Sequence, residues 1–122
     1  MPNQKRSCRS RKDSVGGVIA CVVKGLPAGV GEPVFEKLDA NLAEAVMSIG
    51  AVKAVEIGDG IQVSAMKGSE DNDGFHMENG QITKNSNHAG GIMGGMSDGS
   101  EIILRAAIKP TPSIASFQDT VN

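Results

Sequence analysis

The chain has 122 residues with 39% apolar and 21% charged side chains, and its formal net charge is −2. That gives room for one modest core, not two, in the composition of a soluble protein rather than a disordered tail, and no apolar run nears the roughly 20 residues that span a bilayer. The near-neutral balance lacks the basic face of a dedicated nucleic-acid binder. With three Phe, no Trp and no Tyr, an aromatic surface for stacking bases is excluded.

Residues 1–14 carry Lys5, Arg6, Arg9, Arg11 and Lys12 without apolar periodicity. They read as a solvated, disordered leader, with an anion- or nucleic-acid-binding arm as the alternative. No apolar signal-peptide core follows Met1, so a cytoplasmic protein is expected. Cys8 lies in this polar stretch. Cys21 lies in an apolar run and reads as a buried small hydrophobe.

Val15 to Val23 reads as a strand, with Gly16 and Gly17 at its opening and Gly25 at its close. Its continuous Val18 to Val23 suits a strand buried on both faces. Leu26 to Gly31 is turn-rich. Pro33 and Glu32 suit a helix start, and the helix is predicted over 33–49. Val34, Leu38, Leu42, Ala45, Val46 and Ile49 share one face there, and Gly50 follows as the C-terminal cap. Ala51 to Ile57 is a second strand, broken by Gly58-Asp59-Gly60. Ile61 to Met66 alternates as a half-exposed strand does. Gly68 to Asn87 reads as a loop or a marginal hairpin around Asn79-Gly80. Glu101 to Lys109 is a further strand, stopped by Pro110 and Pro112.

The whole chain holds 16 glycines among 122 residues, about 13% against a usual ~7%, and the unusual chemistry lies late in it. In Asn87-His88-Ala89-Gly90-Gly91-Ile92-Met93-Gly94-Gly95, two Gly-Gly pairs could turn backbone N–H groups toward an anion. The run fits a ligand-contacting loop or a plain turn. It is neither a P-loop nor a dinucleotide fingerprint. Lys109-Pro110-Thr111-Pro112-Ser113 could hold phosphate oxygens, or be an ordinary strand exit. His88 could serve acid–base chemistry or be structural. Neither histidine has partners at zinc spacing, and Asp71 and Asp73 lack the other ligands of a calcium loop, so no metal is expected.

Several motifs in order resemble chorismate synthase. They are Asp13 to Val18, Gly25 to Leu38, Met47-Ser48-Ile49 with Ala51-Val52-Lys53, and Glu56 to Gly60. Gly68-Ser69-Glu70 with Asn72-Asp73, the Asn87 to Gly95 glycine run, and Lys109 to Ile114 with Gln118 and Thr120-Val121 continue the series. The resemblance covers about residues 11–122. It implies an α/β (α+β) fold, with an antiparallel sheet packed against helices, in a domain over 15–122.

The activity implied is the 1,4-anti elimination of phosphate from 5-enolpyruvylshikimate 3-phosphate to give chorismate, by a homotetramer that requires reduced FMN. The family's flavin contacts fall on Gly50 and Ala51, on Gly94, and on Lys109, Pro110, Thr111, Pro112 and Ser113. Lys109 would be the charged partner and Thr111 and Ser113 the neutral donors. The family's N-terminal part, with its flavin loop and its nicotinamide (NADP) contacts, has no counterpart here, and neither does its C-terminal part. The acid and base come largely from those regions and are not assigned to His76 or His88. The resemblance thus implies a portion of the enzyme, from a truncated gene, an incomplete sequence or a misassigned start, that is inactive alone. The alternative is a remnant that only binds flavin or phosphate, or an assembly module.

Overall fold

A computed structural model describes residues 12–121. Lys5, Arg6, Cys8, Arg9 and Arg11 lie outside the described residues. The elements, in order, are β1 (Gly17–Val23), α1 (Leu38–Met47), β2 (Val52–Ile57), a 3₁₀ helix (Gly60–Ala65) and α2 (Gly68–Asp71). Then come β3 (Phe75–Glu78), β4 (Gln81–Lys84), β5 (Ile92–Met93), β6 (Met96–Ser97) and β7 (Ile102–Ile108). The main sheet has three strands in the order β1-β7-β2, and two short hairpins, β3-β4 and β5-β6, complete the strands. All pairings are antiparallel.

The last strand is the central one, and its sequence explains why. Ile102, Leu104 and Ala106 alternate onto one face and are buried, with Ile102 only 1% exposed. Ile103, Arg105 and Ala107 take the other face, as strand period dictates. The register brings Cys21 and Ile57 on either side of Leu104, and Ile19 and Val55 on either side of Ala106. β1, β7 and β2 therefore present one continuous apolar face, and α1 packs on its β2 side. A bulge between Val52 and Ala54 keeps Val52 and Val55 on that same face.

Five expectations are corrected. β1 forms as a strand, but all its residues are exposed. An unbroken apolar run reports strand character without saying whether neighbours cover it, and among the described residues β1 is an edge strand paired with β7 alone. Cys21 on β1 is therefore exposed, not buried.

The helix begins at Leu38, not Pro33. Before it, Glu32 N–H donates to Glu36 O at 2.9 Å, and Leu38 N–H donates to Gly95 O at 2.8 Å. The carbonyl of a distant turn thus satisfies one of the free N–H groups at the helix start.

At the other end Ser48 is the C-cap, and the left-handed residue is Ala51 (φ 72°) rather than Gly50. Residues 60–65 form a 3₁₀ helix, not a strand. Glu56 Oε1 accepts from Ile61 N–H at 3.1 Å, Gln62 N–H donates to Asp59 O at 3.2 Å, and among the described residues no strand pairs with this stretch. Of the loop or marginal hairpin expected around Asn79-Gly80, the hairpin forms, with φ of 51° and 77° at the two turn residues.

These conformations make a pair of substitutions diagnostic. Gly50 has open space where a Cβ would point and no left-handed φ. Gly50→Ala is expected to change stability by less than about 0.5 kcal/mol. At Gly91 the φ is +82° and an added Cβ would stand 2.5 Å from Glu101 O, so Gly91→Ala is expected to cost more than about 1 kcal/mol. Denaturant melts of the two variants check the contrast.

Candidate functional site

The exit of β7 gathers most of the candidate residues. Lys109 N–H donates to Ala51 O at 2.9 Å, which sets the Gly50-Ala51 corner after α1 directly beside the Lys109 to Ser113 loop. Ser14 Oγ donates to Thr111 O at 2.6 Å. Gly16 packs so closely that an added Cβ would lie 2.6 Å from Ile108 O and 3.3 Å from the Pro110 ring. Pro112 O accepts from Ile114 N–H and from Gln118 Nε2, both at 3.1 Å. The backbone of the loop is thus tied on both sides, while Lys109, Thr111 and Ser113 remain exposed. Among the described residues Lys109 makes no ion pair. A free ammonium and two hydroxyls on a proline-stiffened loop form a donor set for an anion.

Gly94 stands apart from this cluster. It turns β5 into β6 with φ +58°, followed by Gly95 at +86°, the sign pair of a tight hairpin turn. An added Cβ at Gly94 would meet nothing within 4 Å, whereas at Gly95 it would meet the Lys37 side chain at 2.5 Å. Because Gly95 O receives the Leu38 N–H at the start of α1, and Ala51 follows its end, the two sets lie at opposite ends of that helix. For the 10 residues of α1 the separation is about 15 Å.

Gly90 and Gly91 are not an anion cradle. Their N–H groups donate to Asn87 O at 3.1 Å and to Asn87 Oδ1 at 2.9 Å. The backbone here is spent on packing, since a Cβ at Gly90 would lie 2.4 Å from Gly58 N.

What holds that segment is a buried polar network that no sequence motif announced. Asp73 Oδ1 accepts from Ser86 Oγ at 2.7 Å and from His88 N–H at 2.8 Å, and Oδ2 accepts from Ala89 N–H at 2.9 Å. Lys84 Nζ donates to Asn87 Oδ1 at 2.8 Å and to Asp98 Oδ2 at 2.7 Å, and lies 3.4 Å from Asp73. Its side chain is only 5% exposed. Burial alone would raise the Asp73 pKa. The Ser86 hydroxyl, the Ala89 and His88 N–H groups and the Lys84 charge outweigh it and hold this carboxyl well below the usual range. Asp98 shows the same balance: burial raises its pKa, and Lys84 and Ser100 bring it below the ordinary value. Beside the network, His88 Nδ1 lies 2.5 Å from Asp59 Oδ2. That hydrogen bond, more than burial opposes it, raises the imidazole pKa above 6.5.

The family model for chorismate synthase matches residues 1–122. The chain belongs to the chorismate synthase family. It is 62% identical over 116 residues to the chorismate synthase of Lachnoclostridium phytofermentans, covering 94% of this chain and 32% of that protein. It is 59% identical over 114 residues to that of Methanosarcina acetivorans, covering 93% and 31%. A crystal structure of chorismate synthase matches the fold with a TM-score of 0.86 at 32% identity, over 92% of this chain and 34% of that one. The chain spans about a third of the length of the curated relatives it matches. The mixed fold of antiparallel sheet and helices expected of a chorismate synthase segment is the fold observed.

In this chain the buried ions make the strongest energetic demand. Lys84→Met strands two buried carboxylates and is expected to cost about 3 kcal/mol or more. Lys24→Met removes an exposed pair, 3.5 Å from Glu101, and is expected to cost under about 1 kcal/mol. Asp73 and Asp98 both have folded pKa values below 3.8. Their contribution to stability is therefore complete above that pH and is lost as pH falls through the folded values. Melts between pH 7 and pH 2 read this acid limb, and Asp73→Asn is expected to flatten it.

Proposed function

We propose that this chain is a segment of a chorismate synthase, a lyase of aromatic amino-acid biosynthesis, and that its β7 exit grips the phosphate end of reduced FMN. The reaction proposed for the full-length protein is the 1,4-anti elimination of phosphate from 5-enolpyruvylshikimate 3-phosphate, in a cytoplasmic homotetramer. The observation that carries the reading is the Lys109–Ala51 backbone hydrogen bond in a chain of this family. It unites Gly50 and Ala51 with Lys109, Pro110, Thr111, Pro112 and Ser113.

The donor set suits a flavin phosphate. Lys109 supplies a full charge and Thr111 and Ser113 supply hydroxyls. Pro110 and Pro112 limit the conformations the loop must give up on binding. Gly94, with open space in front of it, would receive the far end of the same extended mononucleotide along α1. Reduced flavin, when bound, supplies electron density as phosphate leaves and takes it back as the ring hydrogen departs. The residues here would bind and orient it.

A second reading, binding without turnover, is favoured by one feature. Ile19, Cys21 and Val23 of β1 line an open apolar groove of about 380 Å³ with Leu42, Val46 and Leu104. Such a face asks for further protein, so the isolated chain is expected to bind flavin without elimination.

Fluorescence titration of FMN with the 122-residue chain, with and without 5-enolpyruvylshikimate 3-phosphate, tests the proposal. Saturable binding is expected, weakened by Lys109→Ala about tenfold or more, the value of a charge-assisted hydrogen bond. Equal affinities for the two proteins, or no saturation by a chain that circular dichroism shows folded, would overturn it.

A further inference from the structure

One ionisable contact is left unused by the flavin reading, and it lies at the other end of β2. The turn after β2 and the Asn87 to Gly91 segment are joined three ways. Asp59 N–H donates to His88 O at 3.0 Å. Gly58 and Gly90 pack backbone to backbone, with no room for a Cβ on either. The third tie is the His88 Nδ1–Asp59 Oδ2 contact at 2.5 Å, and it alone titrates near neutral pH.

We infer that His88 and Asp59 form a pH-sensitive clasp: the protonated imidazole pins the Asn87 to Gly91 segment to the end of β2, and loss of its proton to water loosens that segment.

The surrounding charges favour this arrangement. Asp59 faces the ring from the turn after β2, and Asp73 and Asp71 add negative charge from the segment that follows α2 and from α2 itself. The nearby cations are already engaged. Lys84 is shared by Asp73 and Asp98. Arg105 Nη2 donates to Gly58 O at 2.7 Å, and its Nε lies 3.5 Å from Glu56. Three carboxylates thus face one imidazole whose side chain is 30% exposed, open enough to exchange a proton with solvent.

The neutral ring can still donate from Nδ1 to Asp59, but the attraction between opposite charges is gone and the bond is weaker. The clasp therefore loosens without unfolding the chain, because Asp73 keeps hold of the His88 and Ala89 N–H groups. The direction follows from linkage. A contact that raises the folded pKa contributes fully below the ordinary value of 6.5, and its contribution is lost as pH rises through the raised value.

The test is NMR on the 122-residue chain. It follows the His88 ring protons against pH, together with hydrogen-exchange protection factors of the Asp59, Gly90 and Gly91 amides. His88 is expected to titrate above 6.5, and the three protection factors to fall severalfold across that titration. The Asn85 amide, bonded to Gly74 O at 2.7 Å, is expected to hold steady. In His88→Asn, whose Nδ2 stands where the imidazole Nδ1 does, the step is expected to vanish while the fold remains. Asp59→Asn is expected to lower the His88 titration. Protection that stays flat in the wild type, a step that persists in His88→Asn, or a His88 titration at or below 6.5 would each overturn the clasp.

Discussion

Everything in this chain is organised by the insertion of β7 between β1 and β2. Two strands with long stretches of sequence between them and β7 meet only through that strand, and they meet in one register, with Leu104 opposite Cys21 on one side and Ile57 on the other. Slipping β7 by one residue would turn Ile102, Leu104 and Ala106 away from α1 and bring Arg105 inward. The cost of burying that guanidinium without compensation excludes the slip. The strand then sets both ends of the molecule. At its start Ile103 O accepts the Gly58 N–H at 2.8 Å and Ile103 N–H donates to Gly90 O at 3.1 Å. At its end Lys109 meets Ala51.

The two ends are held by different physics. The Lys109 end is a backbone frame with free side chains: carbonyls and N–H groups are paired, and the ammonium and hydroxyls are left to solvent. The Gly90 end is the reverse. Its side chains are consumed in an internal network of Asp73, Lys84, Asn87 and Asp98, and its glycines permit close backbone approach. Low local dielectric makes such a network strong when complete and costly when broken, which suits scaffolding rather than ligand exchange. The division explains why the glycine-rich run, the most conspicuous feature of the sequence, contributes packing at Gly90 and Gly91 and open space only at Gly94.

The sequence made legible what depends on local pattern. The strands at 17–23, 52–57 and 102–108 and the Asn79-Gly80 hairpin follow from apolar periodicity and turn chemistry. Motif resemblance singled out the Lys109 to Ser113 loop and Ala51, and the fold sets them side by side through the Lys109–Ala51 backbone hydrogen bond. The rest depended on contacts between distant residues. The start of α1 is set by Gly95 O, not by Pro33. The 3₁₀ helix forms because Glu56 accepts the Ile61 N–H, and among the described residues no strand pairs with Ile61 to Ala65. The exposure of β1 reflects how little of the sheet α1 covers. The buried Lys84 gave no signal at all, since a lysine closing a hairpin strand reads as solvated until Asp73, 11 residues earlier, and Asp98, 14 residues later, are seen to converge on it.

The most direct measurement on the central claim is an amide-resolved NMR titration of the isotope-labelled chain with FMN. If the end of β7 is the phosphate grip, shifts will concentrate at Ala51 and Lys109 to Ser113, with a weaker response at Gly94, and inorganic phosphate will reproduce only the first group. Shifts centred on the Asn87 to Gly91 segment, or on the apolar groove beside β1 with Lys109 to Ser113 unmoved, would contradict the account.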